Sequence, residues 1–448
     1  MDRINSFKAY DIRGKVPSEL NPELAYKVAK AFSGFINAKS VVIGYDIRKS
    51  SGIISDAVKK GLTENGVDVI DIGLCGTEMI YYATPYFKAD GGIMITASHN
   101  PPEYNGMKFV KKDSVPVGYD SGLKEVEKMI INNKIPTAAG SPGKVISENI
   151  MEGFINHLKQ FYKPEKIKPF KVVVNAGNGC AGLALDAIEK ELPIKMIKIF
   201  NEPDSDFPNG VPNPLLPQNR KPTIDAVTSN NADLGVAWDG DFDRCFFFDE
   251  KGNFIEGYYI VGLLAKSILK ENPGEKIVHD PRLVWNTLDV VKKMNGEAVE
   301  SVSGHAFIKE KMRKVNAIYG GEMSAHHYFR ENAYSDSGMI PFLLTMQLMS
   351  AENKKLSQLV EEMIEAYPCS GEINSEIDKP EEKLKVLEEK YSDGEISKID
   401  GLSVAYNNWR FNVRLSNTEP IIRLNVESKG DIALMKEKTE ELLKVIRS

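Results

Sequence analysis

The sequence predicts an α/β protein of four domains, of which three alternate strands with helices and the last is a smaller α+β domain. A chain of 448 residues is too long for one ordinary domain. The alternating pattern restarts near residues 150 and 258, and the final stretch instead groups its strands between two helices. The predicted domains span residues 1–148, 149–253, 254–368 and 369–448.

The first three domains are predicted from short apolar runs that alternate with segments of helical periodicity, a rhythm typical of sheets rich in parallel strands. In the first domain, the predicted strands are 40–44, 67–72 and 91–95, and the predicted helices are 55–64 and 79–87. In the second domain, the predicted strands are 171–174, 194–199 and 232–238, and the predicted helix is 183–190. A hairpin of strands 245–248 and 254–255 follows. In the third domain, the predicted helices are 260–269, 287–294 and 339–349, and the predicted strands are 276–279 and 317–319.

The last domain has a different pattern. Three predicted strands follow one another between two predicted helices, and these elements are 381–391, 402–406, 409–414, 421–426 and 432–446. Strands grouped in this way are typical of a small α+β domain rather than of a further α/β unit.

Composition and charge argue against nucleic-acid and membrane partners. Lysine and arginine number 57 against 63 acidic residues, which gives a net charge of −6. The N-terminal segment lacks the apolar core of a signal peptide, and no run approaches the ~18 apolar residues of a membrane span. The cysteines lie far apart with no CxxC pair, so we expect free thiols in a cytoplasmic protein (Cys75, Cys180, Cys245 and Cys369).

A reactive loop is predicted at Thr96-Ala97-Ser98-His99-Asn100-Pro101-Pro102, directly after the predicted buried strand 91–95. Reactive groups in α/β proteins usually lie in loops beyond strand ends, and a serine there can carry a covalent intermediate. A polar turn closed by two prolines is the alternative interpretation.

A metal site is predicted at Asp239-Gly240-Asp241-Phe242-Asp243-Arg244, which follows the strand 232–238. Three carboxylates at alternate positions repel one another unless a cation lies among them. Oxygen ligands without His or Cys favour Mg²⁺ over zinc, and the further ligands of a calcium-binding EF-hand are absent. A phosphate on Ser98 would supply one more oxygen ligand, and the alternative is an exposed acidic turn.

Two further loops carry groups suited to a sugar phosphate. In Gly321-Glu322-Met323-Ser324-Ala325-His326-His327, Glu322 and Ser324 would bind hydroxyl groups, and His326 would transfer protons near neutral pH. A helix start with a buried histidine is the alternative. In Arg414-Leu415-Ser416-Asn417-Thr418-Glu419-Pro420, with Arg423 nearby, a guanidinium lies among polar donors and predicts a phosphate cradle. An ordinary hairpin turn is the alternative there.

These four loops in this order, together with the opening Phe7-Lys8-Ala9-Tyr10-Asp11-Ile12-Arg13-Gly14, resemble the α-D-phosphohexomutase superfamily. The resemblance covers nearly the whole chain and is strongest to the bacterial phosphomannomutase branch. It implies four domains around a central cleft. It also implies a phosphoserine at Ser98, Mg²⁺ bound by Asp239, Asp241 and Asp243 together with the Ser98 phosphate, and a sugar-binding pair of Glu322 and Ser324.

The same resemblance assigns the remaining candidate residues. The phosphate loop corresponds to Arg414, Ser416, Asn417, Thr418 and Arg423. Positions around the reacting phosphate and hydroxyl correspond to Tyr10, Arg13, His99, Lys108, Arg244 and His326. One departure is Val302-Ser303-Gly304-His305, where many relatives have Lys-Thr-Gly-His. Valine binds neither phosphate nor hydroxyl, so either Lys309 or another cation substitutes or the activity is reduced.

The resemblance implies that phosphorylated Ser98 donates its phosphoryl group to a hexose monophosphate. The resulting hexose 1,6-bisphosphate, which also serves as activator, turns end for end and returns its other phosphate to Ser98. The expected reaction interconverts mannose 6-phosphate and mannose 1-phosphate and feeds GDP-mannose synthesis. The alternatives are a phosphoglucomutase or dual-specificity mutase, a metal-dependent sugar phosphatase and a non-catalytic sugar-phosphate binder.

Overall fold

A computed structural model describes residues 3–136, 140–415 and 421–448. The chain forms two compact units. The first comprises Met1–Phe254 and His326–Asn353, and the second comprises Ile255–Ala325 and Lys354–Ser448. Among the described residues, no helix has both the length and the apolar composition needed to cross a lipid bilayer.

The first unit opens with a mixed sheet covered by helices. Its strands are β1 (Ile12–Lys15), β2 (Ser40–Tyr45), β3 (Asp68–Leu74), β4 (Gly91–Ile95), β5 (Tyr104–Lys111), β6 (Val115–Pro116) and β7 (Val145–Ser147), and its helices are α1 (Pro22–Phe35), α2 (Ser51–Glu64), α3 (Thr77–Tyr86) and α4 (Lys124–Ile131). The strand order is β1-β5-β4-β2-β3-β7, with β6 beside β5. Strands β4, β2, β3 and β7 are parallel, so the loops that follow β2, β3 and β4 meet at one edge.

A second sheet follows in the same unit. Its elements are α5 (Met151–Leu158), β8 (Lys171–Asn175), α6 (Ala181–Ile188), β9 (Lys195–Ile199), α7 (Lys221–Asn230), β10 (Leu234–Trp238), β11 (Cys245–Phe248) and β12 (Phe254–Ile255). The order is β12-β11-β10-β8-β9, in which β10, β8 and β9 are parallel and β11 runs antiparallel to β10. Every residue of β10 is buried, which holds the following acidic loop on a rigid strand.

The chain then passes through the second unit and returns to the first. The second unit contains α8 (Gly257–Glu271), β13 (Lys276–His279), α9 (Trp285–Lys293), β14 (Glu297–Glu300), α10 (His305–Val315) and β15 (Tyr319–Gly321). Strand β13 lies between its parallel neighbours β14 and β15. The returning segment contributes β16 (His327–Phe329), β17 (Ser335–Asp336) and the buried helix α11 (Met339–Glu352) to the first unit.

The C-terminal part of the second unit is an antiparallel sheet. Its elements are α12 (Leu356–Ala366), β18 (Ile373–Glu376), α13 (Pro380–Lys390), β19 (Glu395–Ser397), β20 (Leu402–Ala405), β21 (Trp409–Leu415), β22 (Ile421–Ser428) and α14 (Ile432–Arg447). The strand order is β18-β22-β21-β20-β19. Alternate residues of β21, namely Trp409, Phe411 and Val413, pack in the core beneath it, whereas Arg410, Asn412 and Arg414 point to the other face.

The predicted fold class is confirmed by the three mixed α/β regions and the antiparallel last sheet. Strands 91–95, 245–248, 254–255 and 276–279 have the predicted bounds, and the other predicted elements differ by one to four residues at one or both ends. Strand β5 was not predicted, because Asn105, Gly106 and Lys108 interrupt its apolar pattern. Asn105 and Lys108 are nevertheless buried in the structure, since polar partners meet their side chains. The four cysteines are free, as predicted.

Candidate active-site residues

Ser98 lies in the loop after β4, with its backbone in the left-handed region at φ 48°. Only 4% of the residue is exposed. Its Oγ donates a hydrogen bond to Asp239 Oδ2 at 2.8 Å, and its amide donates to Thr96 Oγ1 at 2.8 Å. A non-glycine residue at this φ is strained, so surrounding contacts must hold the serine in place.

The contacts that hold the Ser98 loop come largely from Arg48, a buried residue that the sequence did not single out. Its guanidinium donates to the carbonyl oxygens of Ser98 (2.8 Å), Asn100 (2.6 Å), Pro101 (2.7 Å) and Tyr104 (3.0 Å). Asp46 lies 3.3 Å from Arg48 Nε and fixes the guanidinium in turn. The five donors of arginine thus tie one loop together through its backbone.

The acidic loop between β10 and β11 brings its three aspartates together. One oxygen from each of Asp239, Asp241 and Asp243 lies within 4.8 Å of the others, and all three residues are buried. Asp241 also accepts from Thr77 Oγ1 at 2.5 Å, a contact that the sequence did not indicate. The second oxygens of Asp241 and Asp243 are buried and accept no hydrogen bond from the described residues. Buried carboxylate oxygens left in this state fit a hard divalent cation such as Mg²⁺.

Gly240 explains how the acidic loop approaches Ser98. A Cβ atom at Gly240 would lie 2.6 Å from the Ser98 carbonyl oxygen, inside the contact distance of real side chains. Only glycine therefore allows these two backbone segments to lie side by side. The predicted pairing of the serine loop with the metal loop, 141 residues apart in sequence, is present in this unit.

Lys108 on β5 lies against the carboxylates. Its Nζ donates to Asp241 Oδ2 at 2.7 Å and to Asp243 Oδ2 at 2.6 Å. Burial would lower the pKa of Lys108, but Asp241 and Asp243 outweigh it and raise that pKa. Burial would raise the pKa of Asp241, but the positive charge of Lys108 outweighs burial and lowers that pKa. Burial and the neighbouring Asp241 raise the pKa of Asp243.

His99 and Arg244 complete the surroundings of Ser98. Arg244 donates from Nε to Asp239 Oδ2 at 2.9 Å and from Nη2 to His99 Nδ1 at 2.5 Å. Burial, followed by the charges of Arg244 and Arg13, lowers the pKa of His99 well below its usual value. The imidazole is therefore neutral, accepts at Nδ1 and carries its hydrogen at Nε2. His99 Nδ1 lies 3.1 Å from Ser98 Oγ.

Three other predicted residues of this unit have defined places. Arg13 on β1 donates to Asn100 Oδ1 and pairs with Asp11, both at 2.6 Å, and thereby contacts the Ser98 loop. Tyr10 is half-buried just before β1. His326 bridges to Arg244 through the backbone, and its Nε2 lies 3.8 Å from Asp243 Oδ1. Asp336 on β17, which the sequence did not indicate, joins Asp243 and His326 in a second group whose ligand atoms lie within 4.8 Å.

In the second unit, Glu322 and Ser324 follow β15 and share a partner, the buried Arg282. Arg282 Nη2 lies 3.3 Å from Glu322 Oε1 and 3.2 Å from Ser324 Oγ. Glu322 also accepts from the Gly304 amide at 2.8 Å. The predicted sugar-binding pair therefore lies in a polar cluster around Arg282. A helix start was the alternative interpretation of this loop, and the structure instead has strand β16, which pairs with β17.

Arg282 was not singled out in the sequence, although a signal for it exists. It follows β13, and Glu322 follows β15, the parallel neighbour of β13. Residues that follow adjacent parallel strands meet at one sheet edge. Asp280 fixes the guanidinium by accepting at 2.9 Å from Nη2 and at 3.0 Å from Nε.

Arg414 and Arg423 face each other across β21 and β22. Like charges in that register repel. Glu372 lies between them, with its oxygens 3.0 Å from Arg414, 3.5 Å from Arg423 and 3.6 Å from Arg282. Burial would raise the pKa of Glu372, but the three arginines lower it overall. Arg414 and Arg423 thus share the Glu372 carboxylate at the place where the sequence predicts a phosphate, a group that guanidiniums bind through paired N–H donors. Ser416, Asn417 and Thr418 lie outside the described residues.

The departure at Val302 leaves a half-buried valine before α10. Lys309, weighed as a substitute cation, is fully buried on α10. Ser303 of the same segment donates from its amide to Asp400 Oδ2 at 3.2 Å, and Asp400 lies 4.0 Å from Arg414 Nη1. The segment is thus connected through Asp400 to the predicted phosphate-binding strands.

Four family models match the chain in order. They describe the α/β/α domains I, II and III of phosphoglucomutase/phosphomannomutase at residues 5–135, 152–252 and 256–367, and the C-terminal domain at 372–444. The chain belongs to the phosphoglucomutase/phosphomannomutase family. This family is the α-D-phosphohexomutase superfamily that the sequence resembles, so the predicted family membership and the presence of four domains are confirmed.

Curated relatives of the phosphoglucomutase/phosphomannomutase family match over essentially the whole chain. The phosphomannomutase of Escherichia coli K12 is 50% identical over 454 residues and covers 100% of both chains. The phosphomannomutase of Vibrio cholerae is 50% identical over 460 residues and covers 100% of this chain and 99% of its own. "Phosphohexose mutases" of Xanthomonas campestris are 50% identical over 445 residues, with 99% of each chain covered.

Solved structures of family members have the same fold. A phosphoglucomutase/phosphomannomutase family protein from Burkholderia thailandensis superposes with a TM-score of 0.88 at 29% identity, over 100% of this chain and 98% of that one. A structure described as a putative phosphomannomutase from Thermus thermophilus gives 0.82 at 21% identity and 99% coverage of both chains, which supports the fold alone.

Proposed function

We propose that this protein is a phosphomannomutase that interconverts mannose 6-phosphate and mannose 1-phosphate. The observation that carries the proposal is the 2.8 Å hydrogen bond from Ser98 Oγ to Asp239 within the buried aspartate triad. Relatives named phosphomannomutase at about 50% identity support the choice of mannose. The reaction passes through a phosphoserine and a hexose 1,6-bisphosphate, and its product mannose 1-phosphate is a precursor of GDP-mannose.

Residues of the first unit perform the phosphoryl transfer in this proposal. The bond between phosphorus and Ser98 Oγ breaks as one forms to the sugar hydroxyl oxygen, and Ser98 Oγ takes up a proton from water and ends as a hydroxyl. The guanidinium of Arg244 and the ammonium of Lys108 stabilise the charge of the transferring group, with Arg13 beside the same loop. His326 accepts the proton of the attacking hydroxyl at Nε2, the atom that faces Asp243 in the structure.

Asp239, Asp241 and Asp243 would hold Mg²⁺ together with an oxygen of the Ser98 phosphate. When bound, the ion supplies a Lewis acid that offsets the phosphate charge and polarises the phosphorus centre. The protein's own contribution is to keep the three carboxylates converged, through Thr77 on Asp241, Arg244 on Asp239 and the rigid strand β10. His99 is neutral and orients Arg244 toward Ser98 without adding charge.

Residues of the second unit bind the substrate in this proposal. Glu322 and Ser324 bind sugar hydroxyls, with Arg282 fixing both side chains. Arg414 and Arg423 bind the phosphate that is not being transferred, together with Ser416, Asn417 and Thr418 of the same loop. A cradle made of guanidiniums recognises either end of a bisphosphate, which suits a reaction whose intermediate must turn end for end.

A phosphorus NMR time course tests the function. Purified protein with Mg²⁺ and a trace of hexose 1,6-bisphosphate is given mannose 1-phosphate, and we expect the resonance of mannose 6-phosphate to grow to equilibrium. Glucose 1-phosphate in a parallel sample measures whether the enzyme is dual-specific. Growth of free phosphate instead would identify a phosphatase, and binding without isomerisation by protein phosphorylated at Ser98 would identify a sugar-phosphate binder. Either of these two results contradicts the proposal.

For Arg414→Ala we expect mainly weakened substrate binding. Loss of one charge-assisted guanidinium contact to phosphate costs about 1.5–3 kcal/mol, so KM should rise on the order of tenfold to a hundredfold while kcat changes less. Steady-state kinetics with mannose 1-phosphate measures both constants. Arg447→Ala is the matched control, since Arg447 bonds Ser375 in the same sheet domain and should leave KM unchanged. An unchanged KM in Arg414→Ala would remove this residue from the phosphate cradle.

A further inference from the structure

A buried ion pair in the second unit holds the chain segment that carries Arg282. Arg410 on β21 and Glu427 on β22 lie directly opposite each other, with Nη1 2.8 Å from Oε1. Arg410 is 4% exposed and Glu427 is fully buried. Because an isolated charge at such a depth is strongly unfavourable, each side chain needs further polar partners.

Four of those further partners are backbone groups of the segment 281–285. Arg410 donates to the carbonyl oxygens of Pro281 and Arg282, both at 2.9 Å. Glu427 accepts from the amides of Val284 at 2.7 Å and Trp285 at 3.2 Å. The Arg410 guanidinium therefore donates to carbonyl groups of this short loop, and the Glu427 carboxylate accepts from its amides. Together these contacts fix the backbone of the loop at both ends.

Tyr258 completes the arrangement. Its hydroxyl donates to Glu427 and accepts from the Asn286 amide, the latter at 2.7 Å. The N-terminus of α9 is thereby tied to the same carboxylate. Pairs of this kind add little net stability compared with well-packed apolar residues, so stability alone does not account for an ion pair at this position.

The same two strands carry the phosphate-binding arginines. Arg410 and Arg414 share one face of β21, and Glu427 and Arg423 face them on β22. At about 3.4 Å per residue, the Arg410–Glu427 pair lies roughly 14 Å from the Arg414–Arg423 pair along the two hydrogen-bonded strands. Between them, Asn425 Nδ2 donates to the Gly371 carbonyl at 3.0 Å and lies 3.2 Å from Met323 Sδ, next to Glu322.

We propose that Arg410 and Glu427 are positioning residues for the mutase reaction. They hold Arg282 against Glu322 and Ser324 and set the distance from these sugar-binding groups to Arg414 and Arg423. The proposal rests on the proposed function, because it concerns the substrate site assigned there. Neither residue contacts substrate, and both act through Arg282.

A double-mutant cycle tests this relation. Arg410→Met removes both carbonyl contacts, and we expect kcat/KM to fall about tenfold to a hundredfold, as expected for a catalytic group displaced by about 1 Å. In an Arg282→Ala background the same substitution should have less than about threefold further effect, because the residue through which it acts is gone. A double variant whose loss equals the product of the two single losses would overturn the proposal, as would an unaffected Arg410→Met.

The cycle includes controls for folding and for the proposed function. Tyr391→Phe removes a partly buried hydrogen bond to Glu441 on the opposite face of the same sheet, and should lower stability without changing kcat/KM. Arg410→Lys keeps the charge but not both carbonyl contacts. The kcat/KM of Arg410→Lys should lie between the values of wild type and Arg410→Met. Arg410→Lys replaces Arg410→Met in the cycle if Arg410→Met does not fold. A wild type without mutase turnover would refute the proposed function, whereas an active wild type with an additive cycle refutes only the positioning role.

Discussion

The Ser98→Ala variant should lose mutase turnover by on the order of 10³-fold or more while remaining folded. The serine oxygen is the atom to which the phosphoryl group is covalently attached, so no neighbouring group takes its place. The fold should survive because the loop is held through backbone atoms, by Arg48 on four carbonyl oxygens, and not through the serine hydroxyl. Turnover in the phosphorus NMR assay and circular dichroism measure the two properties.

Ser55→Ala is the matched control for the serine variant. Ser55 is a fully buried serine of the same unit, on α2, and its hydroxyl has no hydrogen-bond partner among the described residues. Its removal should leave turnover intact. Intact-mass spectrometry after incubation with hexose 1,6-bisphosphate should show one added phosphate in wild type and Ser55→Ala and none in Ser98→Ala. Full turnover in Ser98→Ala would exclude the phosphoserine role.

The sequence was most informative where a buried strand ends in an unusual loop. Strand β4 and strand β10 are uniformly apolar, and each runs directly into a loop rich in chemically useful groups. Burial of the strand follows from its composition, and the place of the loop at the sheet edge follows from the burial. Ser98 and the three aspartates were predicted in this way, and in the structure the Ser98 hydroxyl bonds Asp239, one of the three converging aspartates.

Residues that hold the candidate site residues in place were missed. Arg48, Thr77 and Arg282 are buried cations or hydroxyls whose partners lie far away in sequence, and a lone arginine or threonine has no pattern of its own. The positions of Arg48 and Arg282 after β2 and β13 were nevertheless a usable signal, because these strands are parallel neighbours of β4 and β15, whose loops had been chosen. Strand order, which the sequence did not provide, was needed to read that signal.

Strand β5 was missed for a related reason. Its polar residues are buried because tertiary partners meet them, as the acidic loop meets Lys108. A pattern of apolar residues cannot reveal a charge that is buried by pairing with charges 133 and 135 residues away. The ion pair of Arg410 and Glu427 escaped notice in the same way, since alternating charges on a strand ordinarily indicate a solvated face.

Removal of divalent metal should reduce turnover by on the order of 10³-fold, and added Mg²⁺ should restore it. Asp239, Asp241 and Asp243 crowd three carboxylates into a buried site with Lys108 and Arg244 as the neighbouring cations. The phosphate on Ser98 adds up to two further negative charges, which these cations do not neutralise. Turnover of chelator-treated protein, before and after Mg²⁺ is returned, measures the effect. Full turnover of the metal-free protein would contradict the assignment.

Binding of Mg²⁺ should also be visible without turnover. A ligand that binds only the folded state raises the free energy of unfolding by about 2.7 kcal/mol at one hundred times its Kd, so Mg²⁺ should stabilise the chelator-treated wild type in thermal unfolding. Asp241→Asn should lose most of this stabilisation, because it removes one of the three charges that attract the ion. Asp249→Asn is the matched control: Asp249 is a buried aspartate after β11 that accepts from the Lys251 and Asn253 amides, outside the triad. Equal stabilisation of the two variants by Mg²⁺ would place the ion elsewhere than on the triad.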